Sequence, residues 1–151
     1  MTIRRARPHE ADALTALATR AKAYWGYDAE FMGRVSDAMT LAPADIAAHE
    51  VWVLEDASAR IVGFHRVIVG NAAELEDMWV EPDAMGNGHG RRLFEHAVAI
   101  ARAGGATSLE LDADPNALGF YERMGMARIG ETASTLILGR ALPRMRISLE
   151  S

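Results

Sequence analysis

The sequence predicts a mixed α/β domain, a mostly antiparallel twisted sheet flanked by helices, and three observations carry that prediction. Residues 51–80 contain three apolar runs of strand length in succession, joined by the turn clusters Asp56-Ala57-Ser58-Ala59 and Gly70-Asn71, the pattern of an antiparallel meander. An amphipathic helix and the short run Ser108 to Asp112 come next, a helical crossover that permits parallel pairing. Helical periodicity before and after the meander supplies the flanking layers.

Taken in order, Thr2 to Arg7 alternates weakly up to Pro8 and reads as a first strand. Leu14, Leu17, Ala18 and Ala21 recur at helical spacing over about His9 to Ala23, until Tyr24-Trp25-Gly26-Tyr27 breaks the pattern. Two further helical pieces follow, about Ala29 to Ala38 and Ala44 to His49, the second opened by Pro43 and Asp45. The meander strands are Val51 to Glu55, Ile61 to Val69 and Glu74 to Val80. Leu93, Ala97, Ile100 and Ala101, with Phe94 and Val98 beside them, form the stripe of a helix that stops at Gly104-Gly105. After Ser108 to Asp112, Pro115 starts a helix to about Met124. Ala127-Arg128-Ile129 and Arg144 to Leu149 close the chain as strands, Met145, Ile147 and Leu149 alternating with Arg144, Arg146 and Ser148. A single domain spanning residues 1–151 is expected, because a chain of this length builds one core without staples and no repeat or linker-like tract divides it.

Composition narrows the function classes. Half the residues are hydrophobic and a quarter charged, which is the balance of a folded globular chain. The net charge of −5 argues against a general nucleic-acid surface, where lysine and arginine must neutralise phosphates. With no cysteine there is no disulfide framework, thiolate metal site or cysteine nucleophile, and the composition fits a cytoplasmic location. No apolar run is long enough to span a bilayer, so no membrane partner is expected. His9, His49, His65, His89 and His96 show no metal-ligand spacing, and no metal is expected.

The chemistry concentrates in Val80-Glu81-Pro82-Asp83-Ala84-Met85-Gly86-Asn87-Gly88-His89-Gly90-Arg91-Arg92. An apolar run ends at a proline, and three alternating glycines lead into a helix. Glycines let backbone approach a ligand closely, and the first amides of a helix have no internal acceptors, so together they make an anion site suited to pyrophosphate. Arg91 and Arg92 add charge at the rim. No Lys-Ser or Lys-Thr follows, as a P-loop requires, and the dinucleotide fingerprint needs its third glycine one position later. The loop resembles the acyl-CoA pyrophosphate loop of the Gcn5-related N-acetyltransferases (GNAT), Gln/Arg-x-x-Gly-x-Gly/Ala after a strand ending Val-x-Pro. Met85 stands where Gln or Arg is usual, which removes a side-chain contact and keeps the backbone amide. Asn116-Ala117-Leu118-Gly119-Phe120-Tyr121-Glu122-Arg123-Met124-Gly125-Met126 is similar to a second segment of that family, Asn-x-x-Ala-x-x-Phe-Tyr-x-x-x-Gly-Phe, with Asp114 on the family's asparagine position and Asn116 close but out of step.

The order of elements matches the GNAT fold throughout, with specific motifs confined to Glu74–Met126. The resemblance implies an acetyl-CoA-dependent N-acetyltransferase without a metal, acting by direct attack of an amine in a ternary complex. It also implies that Tyr121 donates a proton to the CoA thiolate. The main chain of Met78, Trp79 and Val80 would pair with the pantetheine arm where the fourth strand splays from the fifth at a bulge. Gly86, Asn87, Gly88, His89, Gly90 and Arg91 would hold the pyrophosphate, with Asn116 and Phe120 beside the cofactor. The side chain of Trp79 reads as core.

Strict strand alternation puts Glu74, Glu76, Met78 and Val80 on one face and Leu75, Asp77 and Trp79 on the other. On that count Glu76 is the expected general base, with Glu74 second and Glu110 third, unless these carboxylates are merely solvated or paired or the amine arrives neutral. Tyr24, Trp25, Tyr27 and Phe31 stand where the family's acceptor pocket lies, as pocket wall or as core plug, and His65, Arg140 and Ser134 are placed to add polar contacts. A small-molecule amine is the expected acceptor. A non-catalytic acyl-CoA-binding regulator and a protein N-terminal or lysine acetyltransferase are the alternatives, and the chain is expected as a monomer or homodimer.

Overall fold

Alternating burial turns the three central runs into neighbouring strands of a seven-stranded sheet in the computed structural model, which describes residues 1–150. The elements are β1 (Thr2–Arg5), α1 (Ala11–Ala23), α2 (Ala29–Met39), α3 (Pro43–Ala48), β2 (Glu50–Glu55), β3 (Ile61–Ile68) and β4 (Ala72–Val80), then α4 (His89–Ala103), β5 (Ser108–Asp112), α5 (Leu118–Arg123), β6 (Ala127–Ala133) and β7 (Ala141–Ser148). The spatial order is β1-β2-β3-β4-β5-β7-β6, antiparallel everywhere except the β4–β5 pair that the α4 crossover joins. The mostly antiparallel mixed sheet is as the sequence predicts.

Helices cover both faces. On one, Leu14, Leu17 and Ala18 of α1 and Ile46 of α3 pack on Val51, Val53 and Phe64. On the other, Phe94, Ala97 and Ala101 of α4 and Tyr121 of α5 pack on Val67, Ala73, Leu75, Leu109 and Met145. The stripe read from the sequence is thus the buried face of α4. Both closing strands run longer than their sequence pattern suggests. Pro143 argues against a strand, but it lies just past Arg144, the last β7 residue paired with β5, where a missing N–H is tolerated.

Two irregularities in β4 build the site. Arg66 pairs with Asp77 and Val67 with Leu75, so Glu76 is an extra residue, a β-bulge. The extra residue reverses the alternation beyond it. Leu75, Met78 and Val80 share the α4 face, and Glu74, Asp77 and Trp79 share the α1 face, which corrects the strict alternation expected from the sequence. Meanwhile the parallel ladder with β5 stops at Glu74–Glu110, so the rest of β4 diverges with no strand on that side.

Candidate active site

The divergence of β4 from β5 opens a cavity of about 660 Å³. Glu76, Asp77, Met78, Trp79 and Val80 line one wall, Leu111, Asp112, Asp114 and Asn116 another, and the glycine loop closes one end. Gly86 and Gly88 have φ of +83° and +78°, and a Cβ built on either meets nothing within 4 Å. The loop therefore uses glycine for backbone conformation and leaves its outer surface open for a ligand. Arg92 N–H is bonded to Gly88 O at 3.1 Å, while the amides of His89, Gly90 and Arg91 lie in the first turn, ahead of any intrahelical acceptor. Gly90 serves a different need: a Cβ there would stand 3.1 Å from the Phe120 ring, so this glycine lets α5 close against α4. His89 is buried with Nδ1 unpartnered.

Phe120 and Tyr121 form the floor, their rings edge to face at 5.2 Å. Tyr121 is held by the Phe94 side of the core. Burial, with the Asp77 and Asp114 carboxylates nearby, pushes its phenol well above the ordinary range, so it keeps its proton. Asp77 is nearly buried. Burial pushes its carboxyl up, against the pull of Arg66, whose Nε lies 2.9 Å from Oδ2 without hydrogen-bond alignment. Trp79 Nε1 donates to Asp77 Oδ1 at 3.3 Å. Glu76 also lines the cavity, but its side chain is 43% exposed and its nearest cation, Arg66, is 3.9 Å away.

Residues 47–125 match the acetyltransferase (GNAT) domain family, just over half the chain. A peptidyl-lysine N-acetyltransferase, YjaB, of Salmonella typhimurium is 30% identical over 138 residues, 87% of each chain. The chain belongs to the GNAT acetyltransferase family. Its fold is shared with a GNAT protein of Rhodopseudomonas palustris (TM-score 0.81, 23% identity, 97% of this chain and 94% of that one) and with the PaiA N-acetyltransferase of Thermoplasma acidophilum, solved with coenzyme A (TM-score 0.81, 16% identity, 97% and 98%). As a GNAT acetyltransferase it takes acetyl-CoA as co-substrate, and the open loop and unpaired strand edge fit that molecule.

Within this GNAT site, most residues singled out in the sequence converge. Glu76, Met78, Trp79, Val80, Gly86, Gly88, His89, Gly90, Arg91, Asn116, Phe120, Tyr121 and Trp25 all line the cavity. Trp79 also packs its ring on the α1 core, as its apolar character suggests. Asn87 does not reach the cavity; its side chain caps the loop by donating to Ala84 O at 3.2 Å. Asn116 lines the cavity, yet its amide is spent on Tyr27 Oη (3.1 Å) and Asp114 (2.9 Å).

His65 is not an acceptor-site residue. It is wholly buried under α4, with Nε2 2.9 Å from His96 Nδ1, and burial and that neighbour hold its pKa down at about 3. Tyr27 lies behind the wall rather than on it. Its hydroxyl meets Asp114 at 2.8 Å and receives Arg140 Nη2 at 2.9 Å, and its ring stacks on Phe31 at 4.0 Å. Ser134 is turned into its own hairpin, accepting from Leu136 and Ile137 amides. Glu74 and Glu110 are both tied to Arg144, Glu74 at 2.6 Å, and neither lines the cavity. Sequence reasoning passed over Asp77, Lys22 and Arg123, which do line it. For Asp77 the signal was the bulge, which the family resemblance implies but strict alternation ignores. Among the described residues no cluster could hold a metal ion.

Proposed function

We propose that the chain acetylates the primary amine of a small molecule by direct attack within a ternary complex. The observation that carries this reading is the single cavity running from the glycine loop to Tyr121, Asp77 and Trp25, in which thioester and amine can meet without a covalent enzyme intermediate. Positioning of that kind supplies much of the rate of acyl transfer. The amides of the loop and the α4 N-terminus hold the pyrophosphate, and the free edge of Met78, Trp79 and Val80 holds the pantetheine arm.

The amine attacks the thioester carbonyl, and the departing thiolate takes the proton of Tyr121. Burial raises the basicity of a thiolate in the same site along with that of the phenol, which offsets part of the rise at Tyr121. Asp77 accepts the amine's proton, since its buried carboxyl is pushed in the direction a base needs. Glu76, the base expected from alternation, faces solvent at the bulge and is the second choice. Arg66, within 3.9 Å of both carboxylates, orients them.

Transfer to a lysine side chain of a peptide is a second reading, favoured by the name of the 30% identical Salmonella relative. Acetyl-CoA-dependent thiol release, read with free amines, amino acids and lysine peptides, tests both. Turnover on free amines is expected. Turnover on peptides alone would select the second reading, and tight acetyl-CoA binding with no turnover on any acceptor would select the regulatory alternative.

A further inference from the structure

Of the 16 Lys and Arg residues in the chain, only Lys22 is a lysine. That lysine sits in the last turn of α1 and lines the active-site cavity. Its side chain is 13% exposed, and Nζ lies 2.6 Å from Asp114 Oδ2. The rings of Tyr27, Phe31 and Trp79 surround the ammonium at 5.1, 5.8 and 6.0 Å. A primary alkylamine thus stands, held by a carboxylate, inside the compartment that an acceptor amine must enter. Structural needs do not dictate the choice, because arginine would serve both the ion pair and the ring contacts, often better. What lysine adds is a nitrogen that can lose its proton and be acylated, which a guanidinium in a protein cannot.

We propose that Lys22 is a self-acetylation site, modified in cis by bound acetyl-CoA when no acceptor occupies the cavity. Nζ gives one proton to solvent and forms an N–C bond to the thioester carbonyl as the C–S bond breaks. The thiolate takes the proton of Tyr121 and leaves as free thiol. The second proton lost from nitrogen restores Tyr121. The products are an amide, a thiol and one proton. Acetyl-Lys22 is neutral, so the pair with Asp114 is lost, leaving that carboxylate to the Tyr27 hydroxyl and to Arg140 Nη2 at 3.5 Å. The added acetyl group fills acceptor space, so the modified enzyme is blocked toward external amines. The inference rests on the placement of acetyl-CoA in the cleft proposed above.

The test is incubation of the intact protein with acetyl-CoA and no acceptor, followed by intact-mass measurement and tryptic mapping. One acetyl group per chain is expected, with loss of the tryptic cut after Lys22 and a first-order rate unaltered by protein dilution. Lys22→Arg should gain no acetyl at that position, and protein unfolded in urea should gain none on Lys22. Absence of acetyl on Lys22 in protein that binds acetyl-CoA by calorimetry would overturn the proposal while leaving the enzyme reading intact. So would label confined to the Met1 amine, label on Lys22 that persists in urea, or a rate that scales with protein concentration. Protein that binds no acetyl-CoA would bring down both readings.

Discussion

Tyr121 and Asp77 are pushed the same way by burial, and the two shifts have different consequences for rate. A phenol held above its ordinary range stays protonated across the working pH range, so no alkaline loss of activity below about pH 10 should trace to it. Tyr121→Phe should lower kcat by about a hundredfold while acetyl-CoA affinity, measured by calorimetry, stays within error. Unchanged kcat in that variant would remove Tyr121 from the proton-donor role. A base works deprotonated, so activity falls as pH drops through its pKa. For Asp77 that fall should come above the ordinary carboxylate range near pH 4, since burial raises its pKa. The profile of kcat/KM against pH should therefore lose its acid limb in Asp77→Asn. An acid limb retained there and lost in Glu76→Gln would return the role to Glu76.

Strand β4 shows why element-level reading needs more than periodicity. A bulge adds one residue without altering composition, so nothing in Ala72–Val80 announces that alternation reverses at Glu76. The existence and type of nearly every element were legible because burial on one face is periodic, as in α4, and because glycine and proline punctuate the rest. The buried His65–His96 pair and the Tyr27–Asp114–Arg140 network were not legible, since each joins residues distant in sequence whose meeting depends on how helices seat on the sheet. The join between β1 and α1 is local by contrast, yet no pattern in the sequence singles out its pairing. Arg4 grips Glu10 through two hydrogen bonds of 3.0 and 2.7 Å, and Glu10 also accepts from the Arg7 amide at 2.8 Å. The Arg4 contact, chiefly, lowers the Glu10 pKa from 4.5 to about 2. A carboxyl depressed on folding contributes stability that is complete above its unfolded pKa, near 4.5, and is lost as pH falls toward about 2. Glu10→Gln should cost about 1–2 kcal/mol at neutral pH by urea unfolding, and the difference from the parent should vanish near pH 2. A difference that persists there would assign the cost to packing.

At the scale of the whole molecule the sheet is a V with its apex at three residue pairs, Ala72–Ser108, Ala73–Leu109 and Glu74–Glu110. β1 to β4 make one arm, and β5, β7 and β6 the other. Besides that backbone ladder the arms are joined by α4 and by ion pairs, Arg144 to Glu74 at the apex and Lys22 of α1 to Asp114 beyond it. An acetyl-CoA molecule lying in the cleft would bridge the arms along the edge that β4 leaves unpaired. Its binding should therefore act as a third strut, and its stabilising effect follows mass action, about 2.7 kcal/mol at a hundred times Kd. Thermal unfolding midpoints should rise with the logarithm of acetyl-CoA concentration. The gain in amide protection by hydrogen exchange should be concentrated in Glu76 to Val80, in the first turn of α4 and in Asp114 to Tyr121, with little change in β1 and β2. Protection spread evenly over the sheet would mean that ligand merely shifts global unfolding, and protection absent from Glu76 to Val80 would place the pantetheine arm elsewhere. Local protection at the splayed strand is the deciding observation, since a rise in midpoint alone would follow from tight binding anywhere on the native protein.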